Sequence, residues 1–514
     1  MGIHRLESVF APRAVAVVGA SERQGSLGSV VMHNLISQGE RPIYPVNPHH
    51  RRLWGRRCFA TVAGLPPEVD LAVVATPIQS VPEIVSQCAA GGLAGAVVLS
   101  AGGKESGEAG RAIEREIKAR IAGTSFRVVG PNCLGIVETA GGLNASFAAQ
   151  GPTPGHLAFV SQSGAICTAI LDYARKEGVG FSHFVSLGSM LDVNFGEMID
   201  FLGNDPKVKS ILLYIESVPA MRGFISAARA VSRIKPIIAF KAGRSRSGAR
   251  AAASHTGAMV GRDAVYDAAF ERAGIVRVDS FEALFDCAEC CAKLSRPGGK
   301  GLAIVTNAGG PGVMAADALE DWGVAPVTLA PETLTALDAL LPAHWSHGNP
   351  IDMIGDARVE TFGQVIATLA RAREVDGLLI LCAPQGVTDP VVLANALVDL
   401  LQGLKLPVIA SWMGGAGMDP ARDLFNRAGI PTLDTPERAV NAFMLLYQHT
   451  RKLALAREVP ARFADRIEVD ADRVAEVIRT ALGSAEDAML DEASSKAVLD
   501  AYGIPVAHTA RAAT

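Results

Sequence analysis

The sequence predicts an α/β protein built from several doubly wound parallel sheets. Short β-branched runs such as AVAVVG (14–19), LAVVAT (71–76) and GAVVLS (95–100) alternate with longer, amphipathic stretches rich in Ala, Glu and Lys. Strands that are apolar throughout are typical of a parallel sheet covered by helices on both faces. The length of 514 residues also exceeds that of one ordinary domain and indicates roughly three or four.

Composition excludes several classes of function. The chain has 48 Lys and Arg against 52 Asp and Glu, a net charge of −4, and it contains no basic run, which argues against nucleic acid or an anionic membrane as the main partner. No apolar stretch approaches the ~20 residues of a membrane span, and the N-terminus has no signal-like pattern. The eight cysteines are scattered through apolar segments, so we expect no disulfide framework. These features predict a cytoplasmic protein.

Four segments follow one another along the chain. They are 1–145, 150–296, 300–455 and 456–514. The second opens with HLAFVSQSGAICTAILDYARKEGVG (156–180) and the third with GLAIVTNAGGPGVMAADALEDWGV (301–324). Each opening has an apolar strand, a turn of small residues, a helix and then Gly-Val, which indicates either an internal repeat or the general likeness of two βα units. The fourth segment is charged and helical and resembles the start of another domain.

A glycine-rich turn near the N-terminus has the features of a phosphate site. Gly19, Gly25 and Gly28 lie between a predicted strand and a predicted helix, where glycine lets the backbone approach a phosphate and the free N–H groups attract its charge. The spacing departs from GxGxxG, and the next strand ends in Asn47-Pro48 rather than in an acidic residue, which weakens an NAD interpretation. A nucleotide-phosphate site and a purely structural turn both remain open.

A Ser-His-Thr-Gly turn holds His255, the most informative histidine of the chain. An imidazole near neutral pH offers an unprotonated nitrogen that can attack a phosphoryl group, and the small neighbours leave the ring unhindered. A lone histidine in such a loop is more often structural, so the residue types alone do not decide. Glu216, at the end of the apolar run ILLYIES, could equally be a surface residue.

Taken together, the motifs GAS-x-x-x-GSLG (19–28), YPVNP (44–48), GPNCLGI (130–136) and SHTG (254–257) resemble those of the NDP-forming acyl-CoA synthetases. That family includes ADP-forming acetate–CoA ligases and is related to the α subunit of succinyl-CoA synthetase. The resemblance covers almost the whole chain. It implies a Rossmann-like CoA-binding domain followed by two flavodoxin-like doubly wound domains.

The resemblance also implies a coenzyme A site. The residues that match are Gly19, Ser21, Gly25, Ser26, Gly28, Asn47, Pro48, Thr76, Pro77, Asn132 and Cys133. The glycine-rich turn would hold phosphates, Asn47 and Pro48 would lie near the nucleotide, and the GPNC turn near the thiol. Cys133 is expected to bind rather than to act as a nucleophile. The family usually has Lys after the NP pair, where this sequence has His49, and neighbouring Arg51 or Arg52 could replace it.

For catalysis, the resemblance implies that His255 carries the phosphoryl group and that Glu216 orients its ring. The two repeated helix starts would hold the phosphate without any lysine, through free N–H groups and the positive end of each helix dipole. The residues concerned are Ser163, Gly164, Gly309 and Gly310. We expect no metal ligands in this chain, since the cysteines of CAECC (287–291) fit core packing better.

The activity implied is that of an acid–thiol ligase, which interconverts acyl-CoA, ADP and phosphate with a small carboxylic acid, CoA and ATP. ADP, ATP and Mg²⁺ would bind an ATP-grasp module, supplied by a β-type subunit or a fused domain, and an oligomer is expected. The alternative is a non-catalytic CoA-binding regulatory module of an acyl-CoA synthetase-like acetyltransferase. The intact SHTG and YIE motifs favour the enzyme.

Overall fold

A computed structural model describes residues 4–39, 41–245, 247–248, 250, 263–355, 357–457, 469–483, 488–507 and 509. The chain divides into two compact units, residues 1–457 and 458–514. The first unit contains three main sheets within its described residues.

The first sheet occupies the N-terminal part of the chain. Its elements are α1 (His4–Phe10), β1 (Ala14–Val18), α2 (Leu27–Ser37), β2 (Ile43–Val46), β3 (Arg52–Leu53), β4 (Arg56–Arg57), β5 (Val69–Val74), α3 (Val81–Ala90), β6 (Gly95–Val98), α4 (Glu108–Ile121) and β7 (Arg127–Val129). Every residue of β1 and β6 is buried, as expected for strands that helices cover on both faces.

The second sheet follows directly. Its elements are β8 (Gly135–Glu138), β9 (Leu143–Ser146), β10 (Pro154–Ser161), α5 (Gly164–Lys176), β11 (Phe181–Ser186), α6 (Phe195–Asn204), β12 (Ser210–Ile215), α7 (Met221–Val231), β13 (Ile237–Lys241), α8 (Asp263–Ala273), β14 (Val276–Val278) and α9 (Phe281–Lys293). Cys287 and Cys290 of α9 are fully buried, so the CAECC segment contributes to the core, as predicted.

The third sheet completes the first unit. Its elements are β15 (Leu302–Thr306), α10 (Gly309–Asp321), α11 (Pro331–Asp338), β16 (Ile351–Asp352), α12 (Val359–Leu369), β17 (Gly377–Cys382), α13 (Pro390–Gln402), β18 (Val408–Trp412), α14 (Asp419–Arg427), β19 (Thr432–Leu433) and α15 (Pro436–Arg457). Helix α15 contacts α9 and α10, and Arg438 on it pairs with the buried Asp286 of α9 at 2.8 Å. The second and third sheets are therefore packed together.

All three sheets share one strand order. The parallel strands run β2-β1-β5-β6-β7, β11-β10-β12-β13-β14 and β16-β15-β17-β18-β19. Counted along the chain, each reads 2-1-3-4-5, the flavodoxin-type order, in which ligands bind beyond the carboxyl ends of strands 1 and 3. The predicted class of doubly wound α/β domains is confirmed. The order also directs attention to three edges: the ends of β1 and β5, of β10 and β12, and of β15 and β17.

One hairpin differs from the predicted division. We expected the first domain to run to residue 145, but β8 and β9 both belong to the second sheet, where β8 pairs antiparallel with β11. The hairpin covers the edge that β11 would otherwise expose. The four predicted segments remain a hypothesis about how the chain is divided, and the sheet boundary precedes residue 135.

The first and second sheets are joined through a buried arginine. Arg127 of β7 is 9% exposed and pairs with Asp192 at 2.9 Å and with Glu197 of α6 at 2.6 Å. Glu197 also completes a capping box with Asn194, whose side chain accepts from the first turn of α6. Asn194 is therefore held as a helix cap.

The second unit is described for residues 469–483, 488–507 and 509. It contains α16 (Ala471–Leu482) and α17 (Glu492–Ala501). The Asp470 N–H donates to the Ala501 carbonyl at 3.0 Å, and Arg473 pairs with Asp500 at 2.9 Å, so the two helices pack as a pair. None of the described helices in either unit combines the length and apolar character needed to cross a membrane.

Candidate functional site

The glycine-rich turn after β1 is shaped by a very close backbone contact. Gly19 has φ +87°, in the left-handed region that favours glycine. A Cβ atom on Gly28, in the first turn of α2, would lie only 2.0 Å from the Gly19 carbonyl oxygen. Position 28 therefore requires glycine, since any side chain would push α2 away from the turn.

Serine side chains fix the rest of this turn. Ser26 is the N-cap of α2, with its Oγ accepting from Ser29 N at 3.3 Å and donating to the Arg23 carbonyl at 2.7 Å. The Ser21 Oγ accepts from Arg23 N at 3.0 Å. From outside, the Trp54 indole donates to the Ser21 carbonyl at 3.0 Å. The turn is held in one shape while the start of α2 stays open.

The ends of the neighbouring strands β2, β5 and β6 lie beside the glycine-rich turn. After β2, the Asn47 amide donates to the Ala20 carbonyl at 2.9 Å and its Oδ1 accepts from His49 N at 2.9 Å. After β5, the Thr76 hydroxyl accepts from Ser80 at 2.9 Å. The Ser100 hydroxyl, after β6, donates to the Thr76 carbonyl at 2.5 Å. These bonds position three strand ends around one edge.

Two cavities, of about 530 Å³ and 430 Å³, lie at this edge. The larger is lined by Ser21, Arg23, Gly25, Ser26, Leu27, Gly28, Ala75, Ser100 and Ala101, the smaller by residues that include Asn47, Pro48, His49 and Thr61, and both by Gly19, Thr76 and Pro77. The residues predicted from the glycine-rich turn and from the ends of β2 and β5 are thus brought together. Among the described lining residues, His49 is present and Arg51 and Arg52 are not.

The GPNC turn lies between this edge and the second sheet. Asn132 has φ +56° and its N–H donates to the Ser100 carbonyl at 2.9 Å, while Ser189 N donates to the Pro131 carbonyl at 2.8 Å. Cys133 is 3% exposed and its thiol donates to the Val98 carbonyl at 3.3 Å. Burial raises the pKa of Cys133 to about 12, which keeps the thiol protonated. Neither Asn132 nor Cys133 is among the described residues that line the two cavities.

At the second edge, Ser163 caps helix α5. Its Oγ accepts from Ile166 N at 3.4 Å, and Gly164 is the first helical residue. The Ser161 hydroxyl, at the end of β10, accepts from Ser163 N and donates to the Ser163 carbonyl, both at 3.0 Å. This two-way clamp holds the turn and directs the first N–H groups of α5 beyond the sheet.

Glu216 lies beside that turn, directly after β12. The side-chain oxygen of Gln162 accepts from Glu216 N at 2.5 Å and from Ser217 N at 2.8 Å. Gln162 therefore ties the ends of β10 and β12 together and fixes the backbone at Glu216. The predicted residues Ser163, Gly164 and Glu216 are brought to one edge, between strands 1 and 3 of the second sheet.

The third edge repeats the arrangement around α10. The Thr306 hydroxyl accepts from Ala308 N at 3.0 Å and donates to the Ala308 carbonyl at 2.7 Å, and Gly309 begins the helix. A Cβ on Gly309 would lie 3.0 Å from Asp352 Oδ2, whereas one on Gly310 would meet no described heavy atom within 4 Å. The Asp352 carboxylate, at the end of β16, therefore lies beside the start of α10. At the second edge the corresponding strand, β11, ends in Ser186 instead.

One predicted motif cannot be placed, and one residue of the second edge was not predicted. His255, with the whole SHTG motif, lies outside the described residues. Sequence reasoning also missed Lys241, the last residue of β13, which lies one strand away from Glu216. A lysine that ends an apolar run (IIAFK) is a signal that could have drawn attention to it. Among the described residues, no group of three or more His, Cys, Asp or Glu could hold a metal ion.

Three family models match successive parts of the chain. They are a CoA binding domain (residues 13–139), a succinyl-CoA ligase like flavodoxin domain (154–291) and a Ligase-CoA domain (302–456). The fold and these matches define a CoA-dependent acid–thiol ligase built on three doubly wound domains.

Comparison with individual relatives shows which acid–thiol ligases this chain is similar to. The chain is 37% identical to acetate–CoA ligase (ADP-forming) I of Archaeoglobus fulgidus over 98% of its length and 71% of the relative's. It is 36% identical to the α subunit of acetate–CoA ligase (ADP-forming) I of Pyrococcus furiosus, over 88% and 99%. A solved acetyl-coenzyme A synthetase 1 of Ca. Korarchaeum cryptofilum, in complex with phosphate and ADP, superposes with a TM-score of 0.81 at 36% identity, covering 89% of this chain and 99% of that one. The chain belongs to the family of ADP-forming acetate–CoA ligases, the NDP-forming acyl-CoA synthetases.

Proposed function

We propose that this chain interconverts acyl-CoA, phosphate and ADP with a carboxylic acid, CoA and ATP through a phosphohistidine at His255. The observation that carries the proposal is the pair of cavities at the first sheet edge, which share Gly19, Thr76 and Pro77. An open helix start suits the phosphates of CoA, and the adjoining smaller cavity offers room for its nucleotide.

In the first step of the proposed reaction, a phosphate oxygen attacks the thioester carbonyl and the CoA thiolate leaves, giving an acyl phosphate. An imidazole nitrogen of His255 then attacks the phosphorus and displaces the carboxylate. Finally, ADP takes the phosphoryl group from the imidazole and becomes ATP. The GPNC turn supports a route for the thioester from the first edge to the second, because Asn132 contacts Ser100 on one side and its neighbour Pro131 contacts Ser189 on the other.

The roles at the second edge follow from its electrostatics. A phosphoryl group there would face the free N–H groups of α5 at Ser163 and Gly164, the end of a helix dipole that attracts negative charge. Glu216 would orient the imidazole, with its own backbone fixed by Gln162. The start of α10, at Gly309 and Gly310, would supply the second set of donors.

For the last step we infer an ATP-grasp module with its Mg²⁺, either as a β-type subunit or as a fused domain, as the resemblance to the NDP-forming acyl-CoA synthetases implies. The Pyrococcus relative is named as a subunit α, which supports a separate partner. By the names of its relatives, acetate is the first carboxylic acid to test.

A direct test measures CoA thiol release when phosphate is added to the chain with acetyl-CoA. We expect thiol release that depends on phosphate, and ATP formation only after ADP, Mg²⁺ and an ATP-grasp subunit are added. In Gly28→Ala the added methyl group pushes the start of α2 away from the turn, so thiol release and ATP formation should both fall strongly. Binding of CoA without any thiol release would contradict the proposal and favour a regulatory CoA-binding module.

A further inference from the structure

Lys241 is an almost completely buried cation at the carboxyl edge of the second sheet. The residue is only 3% exposed, and its Nζ lies 4.5 Å from the centre of the Tyr266 ring on α8. The ammonium also donates to the carbonyl of Ala242. The stem is therefore held in one direction, and the charge stays at the edge of the sheet.

Lys241 forms no ion pair with any residue that the structure describes. Among the described residues no carboxylate oxygen lies within 4 Å of its Nζ, and the nearby Asp263 is instead bound by Arg277 through two contacts of 2.9 Å. One carbonyl and one aromatic face compensate only part of the cost of burying an ammonium. Burial accordingly lowers the pKa of Lys241, while the charges of Asp263 and Glu216 partly oppose that effect.

The position of this lysine connects it to the second edge. Strands β12 and β13 are paired so that Ile215 lies opposite Lys241, which puts Glu216 directly beside the end of β13. Farther along, the chain returns in α8, whose Tyr266 lies under the ammonium and accepts a hydrogen bond from Val218 N at 3.2 Å. Both chain ends that flank residues 242–262 are thus anchored at Lys241.

We propose that Lys241 stabilises the transferred phosphoryl group at the second edge, where its positive charge offsets the repulsion between that group and the Glu216 carboxylate. The inference rests on the proposed function. A phosphoryl group with about two negative charges and a carboxylate cannot share one edge without a counter-charge, and two of the three ammonium donors have no described hydrogen-bond partner. The resemblance implies that two helix starts hold the phosphate without a lysine, whereas Lys241 would add a full charge to their partial ones.

The test compares Lys241→Met, which keeps the apolar stem against Tyr266, with Lys241→Arg and with Lys235→Met as a control. Lys235 precedes β13 at the opposite end of the strand, where it donates to the Leu202 and Asp205 carbonyls. The first readout is the rise in thermal midpoint that inorganic phosphate causes. We expect this rise in the wild type, in Lys235→Met and partly in Lys241→Arg, and its loss in Lys241→Met.

The second readout is phosphoenzyme formed from acetyl-CoA and labelled phosphate, with CoA affinity measured alongside. Lys241→Met should lower the label at least tenfold, keep CoA affinity within twofold and not lower the midpoint without phosphate, because it removes a buried charge. A phosphate-induced rise equal to that of the wild type would overturn the inference. If the wild type forms no labelled phosphoenzyme but phosphate still raises its thermal midpoint through Lys241, the inference is supported and the proposed function is contradicted.

Discussion

The amide side chains of Gln162 and Asn307 make the same bridge in two different sheets. Each follows strand 1 of its sheet and binds the backbone just past the end of strand 3: Gln162 at Glu216 N, 2.5 Å, and Asn307 at Ala383 N, 2.9 Å. Both are preceded by the same hydroxyl clamp and followed by a helix of 13 residues. The helices end before glycines with nearly equal φ, +67° at Gly178 and +65° at Gly323. The two helix starts therefore share one bonding pattern, which favours an internal repeat over the general likeness of two βα units.

The bridge predicts a specific result for Gln162→Ala. The change leaves the N–H groups of Glu216 and Ser217 without their acceptor, which costs about 2–3 kcal/mol of stability, and it frees the backbone that carries Glu216. Asn307→Ala also removes two bonds to the backbone, one accepted from the N–H and one donated to the carbonyl of Ala383, and is the matched comparison. We expect similar falls in thermal midpoint, but a larger loss of phosphoenzyme in Gln162→Ala. Equal losses of phosphoenzyme would argue against a special role for Glu216.

The contact between Gly28 and Gly19 predicts that Gly28→Ala destabilises the first sheet by about 1–3 kcal/mol and lowers CoA affinity at least tenfold. The reason is the 2.0 Å approach of a Cβ to the Gly19 carbonyl, which forces the start of α2 outward. Gly223→Ala in α7 is the control, because a Cβ there meets no described heavy atom within 4 Å and alanine favours a helix by about 0.5–1 kcal/mol. Calorimetric CoA binding and thermal melting measure both effects, and unchanged affinity in Gly28→Ala would refute the placement of the phosphates.

His449 predicts how stability depends on pH. It is 3% exposed on α15 and its Nδ1 has no described partner. Burial, aided by the charges of Arg296 and Lys452, lowers the pKa of His449 to about 4. Because the unfolded chain would bind the proton near pH 6.5, stability is complete above that pH and falls as the pH drops toward 4, by about 2 kcal/mol at pH 5. The buried His183, whose pKa burial also lowers, acts in the same direction.

The variant His449→Leu tests this assignment through thermal midpoints between pH 7 and pH 5. The midpoint of the variant should fall less than that of the wild type over this range. His50→Gln, on the exposed loop after β2, is the control and should follow the wild type. A fall that is identical in all three proteins would assign the acid sensitivity to other groups.

Cys133 is predicted to be inert toward alkylating reagents in the native chain. With a pKa of about 12, only about one molecule in ten thousand carries the thiolate at pH 8, and the side chain is buried. Cys291 is partly exposed and provides an internal comparison. Peptide mapping after iodoacetamide treatment should find Cys133 modified at least tenfold more slowly than Cys291. Preferential modification of Cys133 would instead indicate an activated nucleophile.

Much of the fold could be predicted because its signals are local. Apolar strands, glycine turns and amphipathic helices can be read in windows of ten to twenty residues, and they located the turns at Gly19, Ser163 and Gly309. The pairing of the hairpin β8–β9 with the second sheet was not predicted, since its partner β11 lies more than forty residues later and no local pattern indicates an edge pairing. The antiparallel addition depends on which edge the folded sheet leaves open.

The same reason limits the prediction of the site. Ser26 and Gly28 could be identified because a strand, a turn and a helix follow each other directly. Gln162 and Lys241 lie near Glu216 only because the sheet brings β10, β12 and β13 together, so their residue types alone gave little signal. Asn132 and Cys133 were expected near the thiol of CoA, and that expectation stays a prediction.

The proposed reaction passes the phosphoryl group through His255, and locating the labelled residue is the decisive experiment. The wild-type chain is incubated with acetyl-CoA and labelled phosphate, and the label is located by peptide mapping in the wild type and in His255→Asn, with CoA binding measured in both. We predict an acid-labile, base-stable label on the peptide of His255 and its absence from His255→Asn, which still binds CoA. A label that persists in His255→Asn, or that maps to another residue of the wild type, would contradict the account.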